Sequence, residues 1–543
     1  MKRISPWLFG CVLMASVGSC DIEPTSQATY ESLSGYPEPR DLFQDALKPF
    51  YHGVASGDPL QDRVILWTRI SPEHGQDSIS GTWEIAEDTA FSQLTNQGDF
   101  TTSSARDFTV KIDAMGLKAG QVYYYRFLTG EYVSPVGRTK TLPSGDVSEV
   151  KLAIATCSNL EGGYFNAYRQ MTAQDLDAVV HLGDYIYEYG PGHYADSNLV
   201  KSGRANRPAK EIVSLADYRL RYSTYRTDAD LQAVHQHLPF INIWDDHESA
   251  NNSYMEGAQN HQAGEGDWKT RMEAAQQAYF EWLPIRDDES YNIYRAFQFG
   301  DLMSLIMVDT RLVGRSAQLD SITDPSYQDE SRTLMGPEQM AWFEAELTQS
   351  TTWKVIGNQV MVSPMDISFM GNGNREVSYY AGKERNLDQW DGYPAEKRRL
   401  FDMLDRNEVS NLIFLTGDDH ASFAYEVVPD DQFKSYNPEA PEGAIAVELV
   451  TPSISSPNFD EEYPADVVEE LTTAYLAPEN NPHLRWTDLI HHGFVRLTIT
   501  PEQSRADWYF VETVDAPTNE GSFQKSYLIP LNQNRLIESE SGS

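Results

Sequence analysis

Cysteine is scarce: the 543 residues hold three, Cys11, Cys20 and Cys157. That excludes a disulfide-stapled scaffold, and it leaves one thiol in the folded body if the first twenty residues are removed. Positive charge is scarce too, with 42 Lys and Arg against 81 Asp and Glu and a net charge of −39. A field of that sign repels polyanions, which excludes nucleic acid as a stable partner unless metal ions reverse the charge locally. No apolar run is long enough to cross a bilayer as a helix. There is no low-complexity tract and no short-period repeat, so repeat architectures are excluded as well. What is present is a globular composition, 40% hydrophobic and 12% aromatic, on a chain too long for one ordinary core. The acids are spread diffusely, which reads as a solvated surface rather than a recognition patch.

The chain opens on Lys2-Arg3, a short apolar stretch and then Val17-Gly18-Ser19-Cys20. The last four residues resemble a bacterial lipobox, so residues 1–20 are expected to be a lipoprotein signal peptide with Cys20 lipidated; an ordinary signal peptide containing a Cys is the alternative. Cleavage there removes Lys2 and Arg3 and no acid. The expected location is outside the cytoplasm, periplasmic or at the cell surface, with the membrane met through the N-terminal lipid only. Residues 21–46, rich in Ser, Pro, Glu and Asp, read as a tether.

From 47 to 145 the pattern is short strands with turn punctuation, at 64–68, 82–85, 108–112 and 122–127. That spacing predicts a small all-β domain of fibronectin or immunoglobulin type. From 146 to 530 the rhythm changes to strand–helix alternation. Short apolar runs at 151–156, 178–182, 240–244, 303–308, 353–360 and 411–415 read as strands. Helical patterns lie between them at 215–225, 268–282 and 340–347, and 494–498 with 506–511 reads as a hairpin. The class is α/β in layers.

The chemistry sits where strands stop. Buried-type runs end abruptly in Thr156-Cys157-Ser158-Asn159, His181-Leu182-Gly183-Asp184-Tyr185-Ile186-Tyr187, Trp244-Asp245-Asp246-His247-Glu248 and Thr416-Gly417-Asp418-Asp419-His420. In α/β sheets ligands bind beyond the carboxyl ends of strands. Taken singly, Cys157 reads as a buried small hydrophobe, Tyr187 as packing, and Asp418 and Asp419 as a helix cap. Taken together, four such ends describe a polynuclear metal site. Carboxylates suit calcium or manganese, whereas a thiolate, phenolate and imidazole suit Fe(III) or zinc. Such a centre clamps a phosphoryl group and lowers the pKa of a bound water. No Gly-x-Ser-x-Gly elbow lies beside these blocks.

Gly183-Asp184-x-x-Tyr187, Asp246-His247-Glu248 and Gly417-x-x-His420 resemble the blocks of purple acid phosphatases and calcineurin-like metallophosphoesterases. The likeness to PhoD-type alkaline phosphatases is closer. It extends to His52-Gly53-Val54-Ala55-Ser56-Gly57-Asp58-Pro59, Asp309-Thr310-Arg311, Gly357-Asn358-Gln359-Val360 and Pro452-Ser453-Ile454-Ser455-Ser456-Pro457, in order over roughly residues 50–515. The resemblance implies a metallophosphatase β-sandwich flanked by helices, preceded by the small β-domain. It also implies one Fe(III) and two Ca²⁺, with other divalent metals admissible. By position, Cys157, Asp184, Tyr187 and His420 would hold iron, Asp184 would bridge to calcium, and Asp246, Asn252 (or Asn251) and Asp418 would complete the calcium sites. His247 would protonate the leaving oxygen. Arg311 is either a fork onto phosphate oxygens or a structural ion pair. Two features depart from the family: no second Arg follows Arg3 to make a twin-arginine signal, and 532–543 carries little pattern for the C-terminal helix that closes the site in some members.

The expected activity is hydrolysis of small phosphate mono- and diesters by a metal-activated hydroxide, without a phospho-enzyme, in a monomer. The alternative is a non-catalytic metal- or phosphate-binding surface lipoprotein.

Overall fold

The computed structural model describes residues 38–539 apart from 74–75, 195–202, 288–289, 372–382 and 441. Cys20, the signal-peptide segment and residues 21–37 of the tether lie outside the described residues. Among those described, the strands form three sheets.

The middle of the ten-stranded sheet is Val150–Ala155, Ala178–His181 and Phe240–Asn242, paired in parallel. These runs are buried nearly throughout, the mark of strands covered on both faces. On one side the sheet continues antiparallel through Gly493–Ile499, Gln503–Val511, Gly521–Pro530 and Ile537–Glu538. The first two of these make the hairpin expected late in the chain. A seven-stranded sheet faces it, with Met303–Met307, Trp353–Gly357, Leu412–Thr416 and Ala446–Val450 in parallel at its centre.

Alternation along Leu412–Thr416 shows how the layers stack. Ile413 and Leu415 join the core shared with Leu152, Ile154 and Val179 of the larger sheet. Leu412 and Phe414 point the other way, onto Phe343 and Leu347 of the helix Gly336–Leu347 and Leu400 and Met403 of the helix Pro394–Arg406. The outer face of the larger sheet is covered by Asn166–Thr172, Leu215–Tyr225, Ala229–His237 and Trp268–Trp282. Leu215–Tyr225 starts at a capping box between Ser214 and Asp217. The body is therefore a β-sandwich between two layers of helices, as the sequence implied.

The N-terminal unit is all-β. Ser78–Ala86, Leu94–Ser103, Val122–Thr129 and Gly137–Lys140 form a sheet whose Trp83, Ile85 and Phe127 pack on Val64, Leu66 and Val110. Its second layer does not stand alone. Thr109–Met115, Arg63–Arg69 and Val54–Gly57 run on into the ten-stranded sheet, where Gly57 pairs with Phe240. Asp58 ties the junction further, accepting from Arg295 Nη2 at 2.6 Å and from the Arg286 backbone at 2.8 Å. In the tail, the described residues place Ile537–Glu538 as a strand.

Two expected strands end two residues or more early: 240–244 stops at Asn242 and 353–360 at Gly357. Their last residues leave the ladder to become loops, and the 243–248 loop carries candidate ligands.

Candidate metal centre

Three carboxyl ends of the larger sheet, after Ala155, His181 and Asn242, meet one end of the facing sheet, after Thr416. The rim is thus shared by two sheets. The turns need glycine at two points. A Cβ on Gly183, whose φ is +114°, would lie 2.3 Å from Asp245 Cβ, and one on Gly417 would lie 2.5 Å from Thr156 Oγ1. Five candidate ligands also hold left-handed backbone: Cys157 (56°), Asp184 (55°), Asn252 (51°), Asp418 (63°) and His420 (62°). Each costs a non-glycine residue about 1 kcal/mol or more, and such strain gathers where a site needs a fixed geometry.

Buried hydrogen bonds hold these loops in place. Glu248 accepts from the backbone N–H of Asp184 (3.0 Å), Tyr185 (2.5 Å) and Asp245 (2.8 Å), so one carboxylate binds two strand-end loops together. Burial pushes its pKa up to about 7, against the pull of those N–H groups. The Pro452–Pro457 signature serves the same end. Ser456 Oγ donates to Cys157 O at 2.9 Å and lies 2.6 Å from Tyr187 Oη, while Pro457 O accepts from His420 Nδ1 at 2.7 Å.

Two groups of donor atoms result, joined at Asp184. In the first, Asp184 Oδ2 accepts from Cys157 Sγ (3.4 Å) and Tyr187 Oη (3.1 Å), and His420 Nε2 lies 3.3 Å from that hydroxyl. In the second, Asp184, Asp246 and His247 offer atoms within 4.8 Å of one another, as do Asp245, Asp246 and Asp418. Asn252 adjoins them, its backbone N–H on Asp246 Oδ2 at 2.5 Å. A cavity of about 470 Å³ opens on the cluster, lined among others by Asp184, Asp246, His247, Asn252, Asp418 and His420.

The electrostatics call for a cation. Burial, and then the neighbouring acids, push Asp184 well above the usual carboxylate range, His247 opposing. Burial and Asp184 do the same to the Cys157 thiol. Asp418 is raised to about 6, first by burial. Asp245 Oδ2, Asp246 Oδ1 and Asp419 Oδ2 are buried without a hydrogen-bond partner. Buried carboxylate oxygens left so are costly unless a metal takes them. His420 is held neutral, its pKa lowered to about 4 mainly by burial, and its Nδ1–H is fixed on Pro457 O, so Nε2 keeps a lone pair for a metal. The donor set fits bound metal ions.

Two further groups have different tasks. His247 Nδ1 donates to Glu188 Oε2 at 2.6 Å. Burial works against its charge, but Glu188, Asp246 and Asp184 raise its pKa well above the ordinary value. Arg311 is fully buried and pairs with Asp245, with Asp388 at 3.0 Å and with Asp418 at 2.6 Å. Of the two roles read for it, the structure displays the ion pair.

The sequence profile of PhoD-like phosphatases matches residues 152–508, and that of their N-terminal domain matches 38–143. The chain belongs to the PhoD-like phosphatase family. It is a metal-dependent phosphoester hydrolase of that family, similar to alkaline phosphatase D of Bacillus subtilis (strain 168). The two are 36% identical over 507 residues, covering 90% of this chain and 82% of the relative. A solved structure described as PhoD superposes with a TM-score of 0.79 at 32% identity, covering 92% of this chain and 94% of that one.

Within this PhoD-like site the structure brings together Cys157, Asp184, Tyr187, Asp246, Asn252, Asp418, His420, His247 and Arg311. Cys20 lies outside the described residues. Sequence reasoning missed Glu188 and Asp388. Glu188 is the residue directly after the quoted His181–Tyr187 block. Asp388 comes from a loop of the second sheet, in the run Asn386-Leu387-Asp388-Gln389-Trp390, where Gln389 Nε2 also donates to Asp418 at 2.6 Å. The dense mixture of amide, acid and aromatic side chains there was the available signal.

Proposed function

We propose that the chain is an exported, lipid-anchored hydrolase of small phosphate mono- and diesters. In this reading Cys157, Asp184, Tyr187 and His420 hold Fe(III), and Asp184, Asp246, Asn252 and Asp418 hold two Ca²⁺. The observation that carries the metal assignment is the junction at Asp184. A thiol, a phenol and an imidazole converge on one side of it, and carboxylates with orphaned oxygens on the other. Bound there, the ions would supply the Lewis acidity and the positive charge that a phosphate ester needs and the chain lacks.

The chain's own residues supply the rest. Glu188 fixes the His247 ring by Nδ1, which leaves Nε2 as the nitrogen able to serve the cavity that the ring lines. Paired through Nδ1 with the Glu188 carboxylate, which favours its charged form, His247 gives its proton to the departing ester oxygen. Arg311 holds Asp245, Asp388 and Asp418 in register from behind. Displacement at phosphorus is direct, in line and without a phospho-enzyme. The lipid anchor rests on the Val17–Cys20 segment alone.

The test is the initial rate on a nitrophenyl phosphodiester and on its monoester at mildly alkaline pH, with calcium and then with excess chelator. Expected are hydrolysis of both, loss with chelator, recovery with calcium, and iron in the purified protein. A folded, metal-loaded protein that cleaves neither ester overturns the reading. Full activity without iron overturns the iron assignment alone.

A further inference from the structure

Tyr194 has no part in the account above, yet it lines the cavity beside both groups of donor atoms. Its ring stacks on Tyr187 at 5.0 Å between centroids and on Tyr189 at 5.3 Å, the latter pair only 4° from parallel. It lies 5.2 Å from the His247 ring and edge-on to His420 at 6.2 Å. One side chain therefore reaches from the Cys157–Asp184–Tyr187–His420 group to the Asp184–Asp246–His247 group. The hydroxyl lies in the field of the same cluster. Burial first, then Asp184, Tyr189, Cys157 and Asp246, push its pKa well above the ordinary tyrosine range.

The second observation is the chemistry of that wall. Among the described residues, neither lysine nor arginine lines the cavity. On these described walls the donors open to a phosphoryl oxygen are His247 and uncharged side chains such as Tyr194. The amide nitrogens of Asn251 and Asn252 each give one of their two hydrogens to Gln259 Oε1, at 2.7 and 2.8 Å. The Tyr194 ring is fixed by its two stacked neighbours, and a phenol is a donor that needs no counter-charge.

We propose that Tyr194 is a catalytic residue whose phenol O–H donates a hydrogen bond to a non-bridging oxygen of the bound phosphoryl group. An O–H donor on an anionic oxygen makes a short, charge-assisted bond, and it strengthens as charge gathers on the phosphoryl oxygens in the transition state. The proton stays on the phenol throughout. The proposal rests on the phosphoester reading above.

The experiment compares Tyr194→Phe with the parent protein, both metal-loaded and full length. The variant keeps the stacked ring and loses only the donor. Expected is a fall of about 10- to 100-fold in kcat on the nitrophenyl phosphodiester, with KM changed far less. Affinity for inorganic phosphate, measured by calorimetry, falls about 10-fold, as for loss of one hydrogen bond to a charged group. Melting temperature and the iron and calcium content stay at the parent's values. Unchanged rate and unchanged phosphate affinity overturn the proposal, and so does loss of metal or of melting temperature, which would make Tyr194 a structural support. If the parent hydrolyses neither ester yet binds phosphate more tightly than Tyr194→Phe, the contact stands and the hydrolase reading falls.

Discussion

Nδ1 decides what each of two histidines can do. In His420 it donates to the carbonyl of Pro457, a neutral partner, and burial keeps the ring uncharged with Nε2 free to bind metal. In His247 it donates to the buried carboxylate of Glu188, and the ring is kept charged. Glu188→Gln retains an acceptor and removes the charge. His247 would then give up its proton at lower pH, so the alkaline limb of the kcat profile should move down in pH and kcat at alkaline pH should fall about 10- to 100-fold. His247→Ala should lower kcat by about 100-fold or more while elemental analysis finds the metal content intact. Both histidines were legible as the ends of apolar runs. Glu188 was not, because its task depends on a ring 59 residues further along the chain.

At the scale of the element, the site depends on where strands stop. The sequence marked the ends well because a buried run closing on Asp, His or Cys is a local signal. It overran two strands, since Ile243-Trp244 and Asn358–Val360 remain apolar or buried after the ladder ends and hydrophobicity alone does not register the turn. Asp388 and Tyr194 come from loops without periodicity, so the side-chain mixture around Asp388 marked a polar loop but did not place it beside the cluster. The tightest turn yields a prediction. Gly183→Ala should destabilise by about 2–3 kcal/mol or more, because its Cβ would fall 2.3 Å from that of Asp245 on a backbone with φ of +114°. Urea unfolding measures the loss, and metal content should fall with it because both loops held by Glu248 would have to shift.

For the molecule as a whole, the buried histidines set the acid limit. His52, His181, His235 and His483 are all buried, and burial above all lowers the pKa of each, to about 3 for His181 and His483 and well below the ordinary value for the others. The unfolded chain takes up these protons near pH 6.5 and the folded chain does not. Their contribution to stability is therefore full above pH 6.5 and is lost as pH falls toward 3, by up to about 1.4 kcal/mol per pH unit for each ring. Urea midpoints for the metal-loaded protein should drop between pH 7 and pH 5, and replacing His483 by Gln should flatten that drop.

The ten-stranded sheet joins Val54–Gly57 to Phe240–Asn242 on one flank of its parallel core and Gly493–Ile499 to Val150–Ala155 on the other. During synthesis the N-terminal hairpin thus waits almost two hundred residues for its neighbour, and the core strand Val150–Ala155 waits more than three hundred for Gly493–Ile499. Such late closure keeps raw sheet edges open through most of translation, a condition that invites aggregation and recruits holding chaperones. It also leaves the nascent chain pliable until Gly493–Ile499 has emerged.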